Sequence, residues 1–454
     1  MIEVTIEQIA EFCSGKLNRA ARNIKSEKMK GVSIDTRTIE KNNLFVPFLG
    51  ENADGHRFIE EAFEKGAALS LTEHDLEQED ARPLIKVEDG LQALQQIAKA
   101  YLELVSPKVI AITGSNGKTT TKDMVECLLA PHFKVKKTIG NYNNEIGLPL
   151  TILQLDHDTD ISILEMGMDS KGDIDFLSRM TSPDVAIITN VGESHIEKLG
   201  SRENIAAAKY EIVNGLKGTG TFIYSRDYPL LEQIVDRDVD YTIESGGLDK
   251  ANDLQITNVE QTEKGTVFNI TGVESAVEIP QLGVHNSANA TLALLAAGAL
   301  GLEISEVKDQ FRNLIVTDMR MQRVNHESGA MFINDAYNAS PSSMKSAINT
   351  VGNMDYGFKI LVLADILELG TYRRELHESV GEYINASENG FDLLMTYGKD
   401  AKMIHDTVNN TDRKHFDSLE ELAEELKMHL GKDTVVLLKG SRGMAVERVI
   451  EYIE

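Results

Sequence analysis

Short apolar runs that end in polar or glycine-rich segments recur along the chain, with stretches of helical spacing between several of them. Val109 to Thr113, Ile161 to Met166, Val185 to Val191 and Thr221 to Tyr224 read as strands of an alternating α/β unit. After Arg320 the alternation begins again. Met331 to Asn334, Ile360 to Leu363, Leu393 to Thr396 and Val435 to Leu438 are predicted strands, and Leu419 to Leu430 is a predicted amphipathic helix. Ahead of these units lies a smaller α/β module, closed by a helical stretch from Leu91 to Val105 and by Ser106-Pro107. The expectation is an α/β protein of three domains: a small N-terminal α/β module over 1–103, a central parallel-sheet domain over 104–313 and a C-terminal Rossmann-like domain over 314–454.

The chain length of 454 residues agrees with three units at roughly 150 residues each. A formal charge of -26 argues against a partner bound by wholesale neutralisation of phosphate backbone or anionic lipid, so neither nucleic acid nor membrane is expected. Any anionic ligand must be met by a few local cations. Cys13 and Cys127 match no metal-ligand spacing and read as reduced thiols. With no basic, apolar leader at the start and no long uncharged apolar run, the expected location is cytoplasmic.

The strongest local signal is the strand Val109 to Thr113 entering Gly114-Ser115-Asn116-Gly117-Lys118-Thr119-Thr120, a glycine turn that opens a helix. Backbone N–H groups there can face phosphate oxygens, Lys118 can reach the β- and γ-phosphates, and the Thr119 hydroxyl suits Mg²⁺. Ile112 stands where the full Walker pattern requires glycine. The cradle makes the central domain P-loop ATPase-like, but a motor, a switch, a kinase and a ligase all use one. Glu165 and His195 fall at or just beyond the ends of predicted strands, where parallel sheets bind ligands, although such residues are often merely solvated. Lys209 sits in the small apolar stretch Ile205 to Ile212, either as a snorkelling surface lysine or as a buried one. His285, Asn286 and Asn289, and the segment Asn334 to Pro341, are polar clusters that suit either a ligand or a helix cap.

In this order the segments resemble the Mur ligases, ATP-dependent amide-forming enzymes of peptidoglycan precursor synthesis, over essentially the whole chain. The resemblance rests also on Asp35-Thr36-Arg37, Asp54-Gly55-His56, Gly140 to Pro149, Asp335 to Pro341, Asp365 to Gly370 and Lys439 to Met444. Within the family, the last two resemble the member that adds D-alanyl-D-alanine. The Asp-Asn-Pro-Arg-like signature of the sister that adds the third amino acid is missing. Three positions depart from the pattern: Ala364 and Met319 where glycine is usual or frequent, and Ser340 where asparagine is usual.

The resemblance implies ATP-driven joining of D-alanyl-D-alanine to UDP-N-acetylmuramoyl-tripeptide. It implies that Thr119 and Glu165 bind one Mg²⁺, and that His195 and a carbamylated Lys209 hold a second. His285, Asn286 and Asn289 would face adenine, and Arg320 and Asp335 would meet the ribose and phosphates. Ser33, Asp35, Thr36 and Arg37 would hold the uridine diphosphate, and Asn141, Asn143 and Asn144 would line the path to the acceptor carboxylate. Tyr337, Asn338, Glu368, Lys439, Ser441 and Arg442 would serve the peptide substrates. For Arg442 there is also a local argument: a glycine turn after a strand, opening a helix over Ala445 to Ile453, can hold a carboxylate. A monomer is expected. A P-loop motor or nucleic-acid remodeller is the competing class, and the acidic charge speaks against it.

Overall fold

Alternation of buried strands and amphipathic helices produces three stacked α/β units in the computed structural model, which describes residues 1–50, 54–77, 80–388 and 390–453. Among the described residues the strands form sheets of five, nine and six, beside a two-stranded pair of Glu3–Thr5 with Lys28–Lys30. In the first unit, Val32–Ser33, Leu44–Phe45, Leu69–Thr72 and Leu84–Lys86 run parallel, with Lys16–Leu17 antiparallel at the edge. The helix Gly90–Val105 closes this unit. Asp89 caps it by accepting from the Gln92 N–H, its buried face repeats at Ala93, Leu94, Ile97, Ala98, Tyr101 and Leu102, and Ser106 ends it in the left-handed region.

The central sheet places Lys108–Thr113 between Ile161–Glu165 and Val185–Ile188, all parallel, so the ends of all three strands open on one edge. Ligands of open parallel sheets bind at that edge. Every side chain from Val109 to Thr113 and from Ile161 to Glu165 is buried, which explains why these strands read as continuous apolar runs. Two expectations need correction here. Val185–Ile188 stops three residues early, because Thr189 and Asn190 turn to grip the glycine loop instead of extending the sheet. Five strands of this sheet were not predicted: Val135–Lys137 adds to one edge, and Thr242–Gly247, Leu254–Thr262, Gly265–Ile270 and Val277–Ile279 extend the other into an antiparallel corner. Leu254–Thr262 is partly exposed and polar on alternate positions, and the others are short or broken by glycine and polar residues, so no continuous apolar run marks them.

In the last unit, Met331–Asn334, Thr434–Lys439, Phe358–Ala364, Leu393–Tyr397 and Asp412–Phe416 are parallel in that spatial order, with Gln322–Asn325 antiparallel at one edge. The predicted helix over Leu419 to Leu430 is observed as Leu419–Lys427. The helix expected over Ala445 to Ile453 is broken. Arg442–Met444 and Val446–Arg448 are single 3₁₀ turns around Ala445 at φ 48°, and only Val449–Ile453 is α-helical. No helix among the described residues is long and apolar enough to cross a membrane.

Candidate active site

The glycine loop is shaped by what lies beneath it. A Cβ on Gly114, at φ 155°, would stand 1.8 Å from the Thr189 hydroxyl, and one on Gly117, at φ 79°, would stand 2.7 Å from Asn289 Oδ1. Only glycine fits either place. Asn190 takes the N–H groups of Ser115 (3.1 Å, to its carbonyl) and Asn116 (2.9 Å, to its side chain), and the Gly192 N–H donates to Ser115 Oγ at 2.8 Å. Ser115 and Asn116 therefore do not offer their amides to a phosphate. The N–H groups at the start of the helix Lys118–Leu129 remain for that purpose, along with the Lys118 ammonium, which donates to the Gly114 carbonyl at 2.8 Å.

Three elements meet beside the loop. Thr119 Oγ1 donates to Glu165 Oε2 at 2.9 Å and accepts from Arg320 Nη2 at 2.8 Å, and Asn143 Nδ2 donates to Glu165 Oε1 at 3.0 Å. Burial would raise the Glu165 carboxyl, but Lys118, Lys122 and Arg320 together hold it below the usual range, so it stays ionised. Lys122, 2% exposed with its ammonium 3.5 Å from Glu165, escaped the sequence reading. Its position one helical turn after Lys118 was the available signal.

A cavity of about 1020 Å³ opens over this cluster. Ser115 to Thr120, Asn141, Asn143, Asn144, Glu165, His195, His285, Asn286, Asn289, Arg320, Asp335, Tyr337, Asn338 and Lys439 line it, so the structure brings together most of the expected nucleotide and acceptor residues. Asn286 and Asn289 are buried and bonded to each other at 2.9 Å, packed behind the loop. Tyr337 forms a platform under the Arg320 guanidinium, 4.2 Å from the ring centre. Asp335 accepts from the Lys439 ammonium at 2.6 Å and from the Met321 N–H at 3.0 Å.

His195 stands at φ 65° after the strand Val185–Ile188, and its Nδ1 is buried without a hydrogen-bond partner, 3.1 Å from Glu368 Oε2. Burial, with the neighbouring Lys209 and Lys118 side chains, pushes it down to about 4, leaving the imidazole neutral at physiological pH. Lys209 is 1% exposed on the helix Arg202–Tyr210, so it is no snorkelling lysine. Burial first and Lys118 second push its amine well below the ordinary lysine value, and no carboxylate among the described residues opposes them.

The expected dipeptide residues are arranged otherwise. Lys439 is buried and its ammonium is spent on Asp335 and the Asn338 carbonyl; Ser441 Oγ accepts from the Leu367 N–H at 2.9 Å; Arg442 pairs with Glu447. Lys209, Glu368, Ser441 and Arg442 do not line the cavity. A second cavity, about 890 Å³, lies in the first unit and is lined by Ser33, Asp35, Thr36, Arg37, Phe45, Phe48 and, from the central unit, Tyr142. There Arg37 binds Asp35 through both carboxylate oxygens, which pulls that carboxyl down to about 2. Nearby, Asp54, His56 and His74 cluster closely enough to suggest a metal. His56 Nε2 accepts from the Glu73 N–H at 2.9 Å, however, so Nδ1 carries the proton that Asp54 holds at 2.6 Å and has no lone pair to give.

Three family models match in series: Mur ligase family, catalytic domain over 28–102; Mur ligase middle domain over 112–297; and Mur ligase, glutamate ligase domain over 319–442. The UDP-N-acetylmuramoyl-tripeptide–D-alanyl-D-alanine ligase of Bacillus subtilis is 43% identical over 99% of this chain and 98% of its own. The chain belongs to the Mur ligase family. The like-named enzyme of Escherichia coli is 30% identical to this Mur ligase over 100% and 99% of the two chains. Among solved structures, MurF from Acinetobacter baumannii superposes with a TM-score of 0.89 at 26% identity, covering 100% and 99%. MurF ligase from Thermotoga maritima in complex with ADP gives 0.83 at 29%, covering 94% and 97%.

Proposed function

We infer that this Mur ligase joins D-alanyl-D-alanine to UDP-N-acetylmuramoyl-tripeptide, giving UDP-N-acetylmuramoyl-pentapeptide, ADP and phosphate. The observation that carries the reading is the meeting of Lys118, Thr119, Glu165 and Arg320 at one cavity, in a chain that matches like-named ligases end to end.

A carboxylate is a poor acyl donor at neutral pH. The tripeptide carboxylate therefore attacks the γ-phosphorus of ATP, the bond to the β-phosphate oxygen breaks, and an acyl phosphate and ADP result. The dipeptide amine then attacks the acyl carbon after losing a proton, and phosphate leaves. Lys118 and Arg320 meet the charge that gathers on the transferring group. The Thr119 hydroxyl and the ionised Glu165 carboxylate are oxygen donors suited to Mg²⁺, which when bound supplies charge neutralisation on the phosphates. His195, whose buried Nδ1 makes no hydrogen bond although Glu368 Oε2 lies 3.1 Å away, and Lys209 would hold a second ion. The low basicity of the Lys209 amine favours its reaction with CO₂, and carbamylation converts it into an anionic oxygen ligand.

The cavity beside Arg37 suits the uridine diphosphate, and Asn141, Asn143 and Asn144, which line the larger cavity with Glu165 and flank the Tyr142 of the smaller one, suit the acceptor path. We assign these tasks to units 1–103, 104–313 and 314–454, acting as a monomer in the cytoplasm. The test is phosphate release: a ligase releases phosphate only when acceptor nucleotide and D-alanyl-D-alanine are both present. Release stimulated by nucleic acid instead marks a remodelling ATPase.

A further inference from the structure

The strap that leads into the C-terminal unit is strained around Arg320. Met319 and Met321, on either side of it, stand at φ 59° and φ 50°, the left-handed region that side chains avoid. Such a conformation persists only where the surroundings enforce it. Thr317 donates from both its N–H (2.9 Å) and its hydroxyl (2.8 Å) to Asp123 Oδ2. The Met319 N–H donates to Gln322 Oε1 at 3.0 Å, Gln281 Nε2 donates to the Arg320 carbonyl at 2.7 Å, and the Met321 N–H donates to Asp335 Oδ1 at 3.0 Å. The result is one guanidinium placed on Thr119, with its Nε buried and unpaired.

Of these ties, the one to Asp123 joins the strap to the phosphate-loop helix itself. Asp123 and Thr119 are four residues apart on Lys118–Leu129 and share a face, and they receive Thr317 and Arg320, three residues apart on the strap. The Asp123 side chain is 0% exposed, and its other oxygen accepts from Lys137 at 2.7 Å. A carboxylate so deeply buried is costly unless its partners are held in place, so the pairing fixes the strap as firmly as the helix.

We propose that Asp123 is a positioning residue for the ligase reaction: by anchoring the strap at Thr317 it sets Arg320 over the phosphate loop. The helix that receives the nucleotide thereby also holds the arginine delivered from beyond the central sheet. The inference rests on the reading of Arg320 as a cation for the transferring phosphate.

The test combines Asp123→Asn, Arg320→Lys and the double variant, with phosphate release and hydrogen exchange as readouts. Asp123→Asn is expected to lower kcat about tenfold while the KM for ATP moves less than about threefold. In the Arg320→Lys background the same change is expected to cost less than about twofold, since the residue acts through Arg320. Exchange over 314–321 is expected to accelerate in Asp123→Asn while exchange over 114–120 does not. An equal loss in both backgrounds, or unchanged exchange over 314–321, would overturn the proposal and leave Asp123 a core residue only. Should Asp123→Asn fail to fold, Thr317→Val spares the buried pair with Lys137 and is expected to show the same pattern, at about threefold in kcat. Full activity of Arg320→Ala, which removes the cation altogether, would instead sink the reading of Arg320, while the exchange measurement still judges the anchor.

Discussion

At the phosphate loop, Thr119, Glu165 and Arg320 come from three separate segments and already touch, whereas the turn 439–444 spends its polar groups on its own neighbours. Lys439 holds Asp335, Ser441 receives the Leu367 N–H, and Arg442 is paired with Glu447. The first region is pre-organised for a charge that develops during reaction. The second could bind a ligand only by exchanging those partners. Under the proposed assignment, the phosphate would be positioned by contacts already made in the folded chain, and the amine by contacts that its binding must exchange.

The contrast breaks first at Lys118. Lys118→Ala is expected to lower kcat by about a hundredfold or more, on the order of 3 kcal/mol, with the melting temperature little changed. Near-normal turnover would remove the phosphate region from the chemistry. Lys209→Ala is expected to lose at least about thirtyfold and to regain part of it when formate or acetate is added, because a small carboxylate replaces the missing ligand atoms. An active variant, or a lack of any rescue, would dispose of the carbamate.

Acid sharpens the picture through His195. Its folded value, about 4, lies below the ordinary 6.5, so between these values the unfolded chain binds a proton that the folded chain refuses. The contribution is therefore fully present above about pH 6.5, declines as the pH falls and levels off below about 4, amounting to roughly 3 kcal/mol. Denaturant titrations of metal-free protein across that range, against His195→Gln, measure it, and parallel pH profiles would refute it. The smallest effect belongs to Arg442. Arg442→Ala is expected to raise the KM for dipeptide about fivefold with the KM for ATP unmoved, and Glu447→Gln, which frees the guanidinium, to lower it. If neither variant moves the dipeptide KM, the turn 439–444 has no part in amine selection.

The phosphate region was legible because its signals are local: a strand, two glycines and a lysine lie within a dozen residues, and the folded loop needs glycine at both places for steric reasons. Met319 also becomes intelligible, since the position where the resemblance leads one to expect glycine has positive φ here. What stayed hidden depends on distant partners. Nothing near Val185 to Val191 announces that Thr189 and Asn190 leave the sheet to bind Asn116. Nothing in Lys439 to Met444 foretells that Glu447 and Asp335 will claim its cations. The alternating hairpin Leu254–Thr262 with Gly265–Ile270 carries too little apolar surface to stand out in a reading keyed to continuous runs.

Addition of a dipeptide distinguishes this enzyme from ligases that add one amino acid. The direct measurement gives the enzyme ATP, Mg²⁺ and UDP-N-acetylmuramoyl-tripeptide with equal amounts of D-alanine and D-alanyl-D-alanine, and weighs the nucleotide product by mass spectrometry. A product heavier by two alanine residues, with one ADP formed per product, is the expected result. A product heavier by a single residue would overturn the assignment and point to a ligase that adds one amino acid.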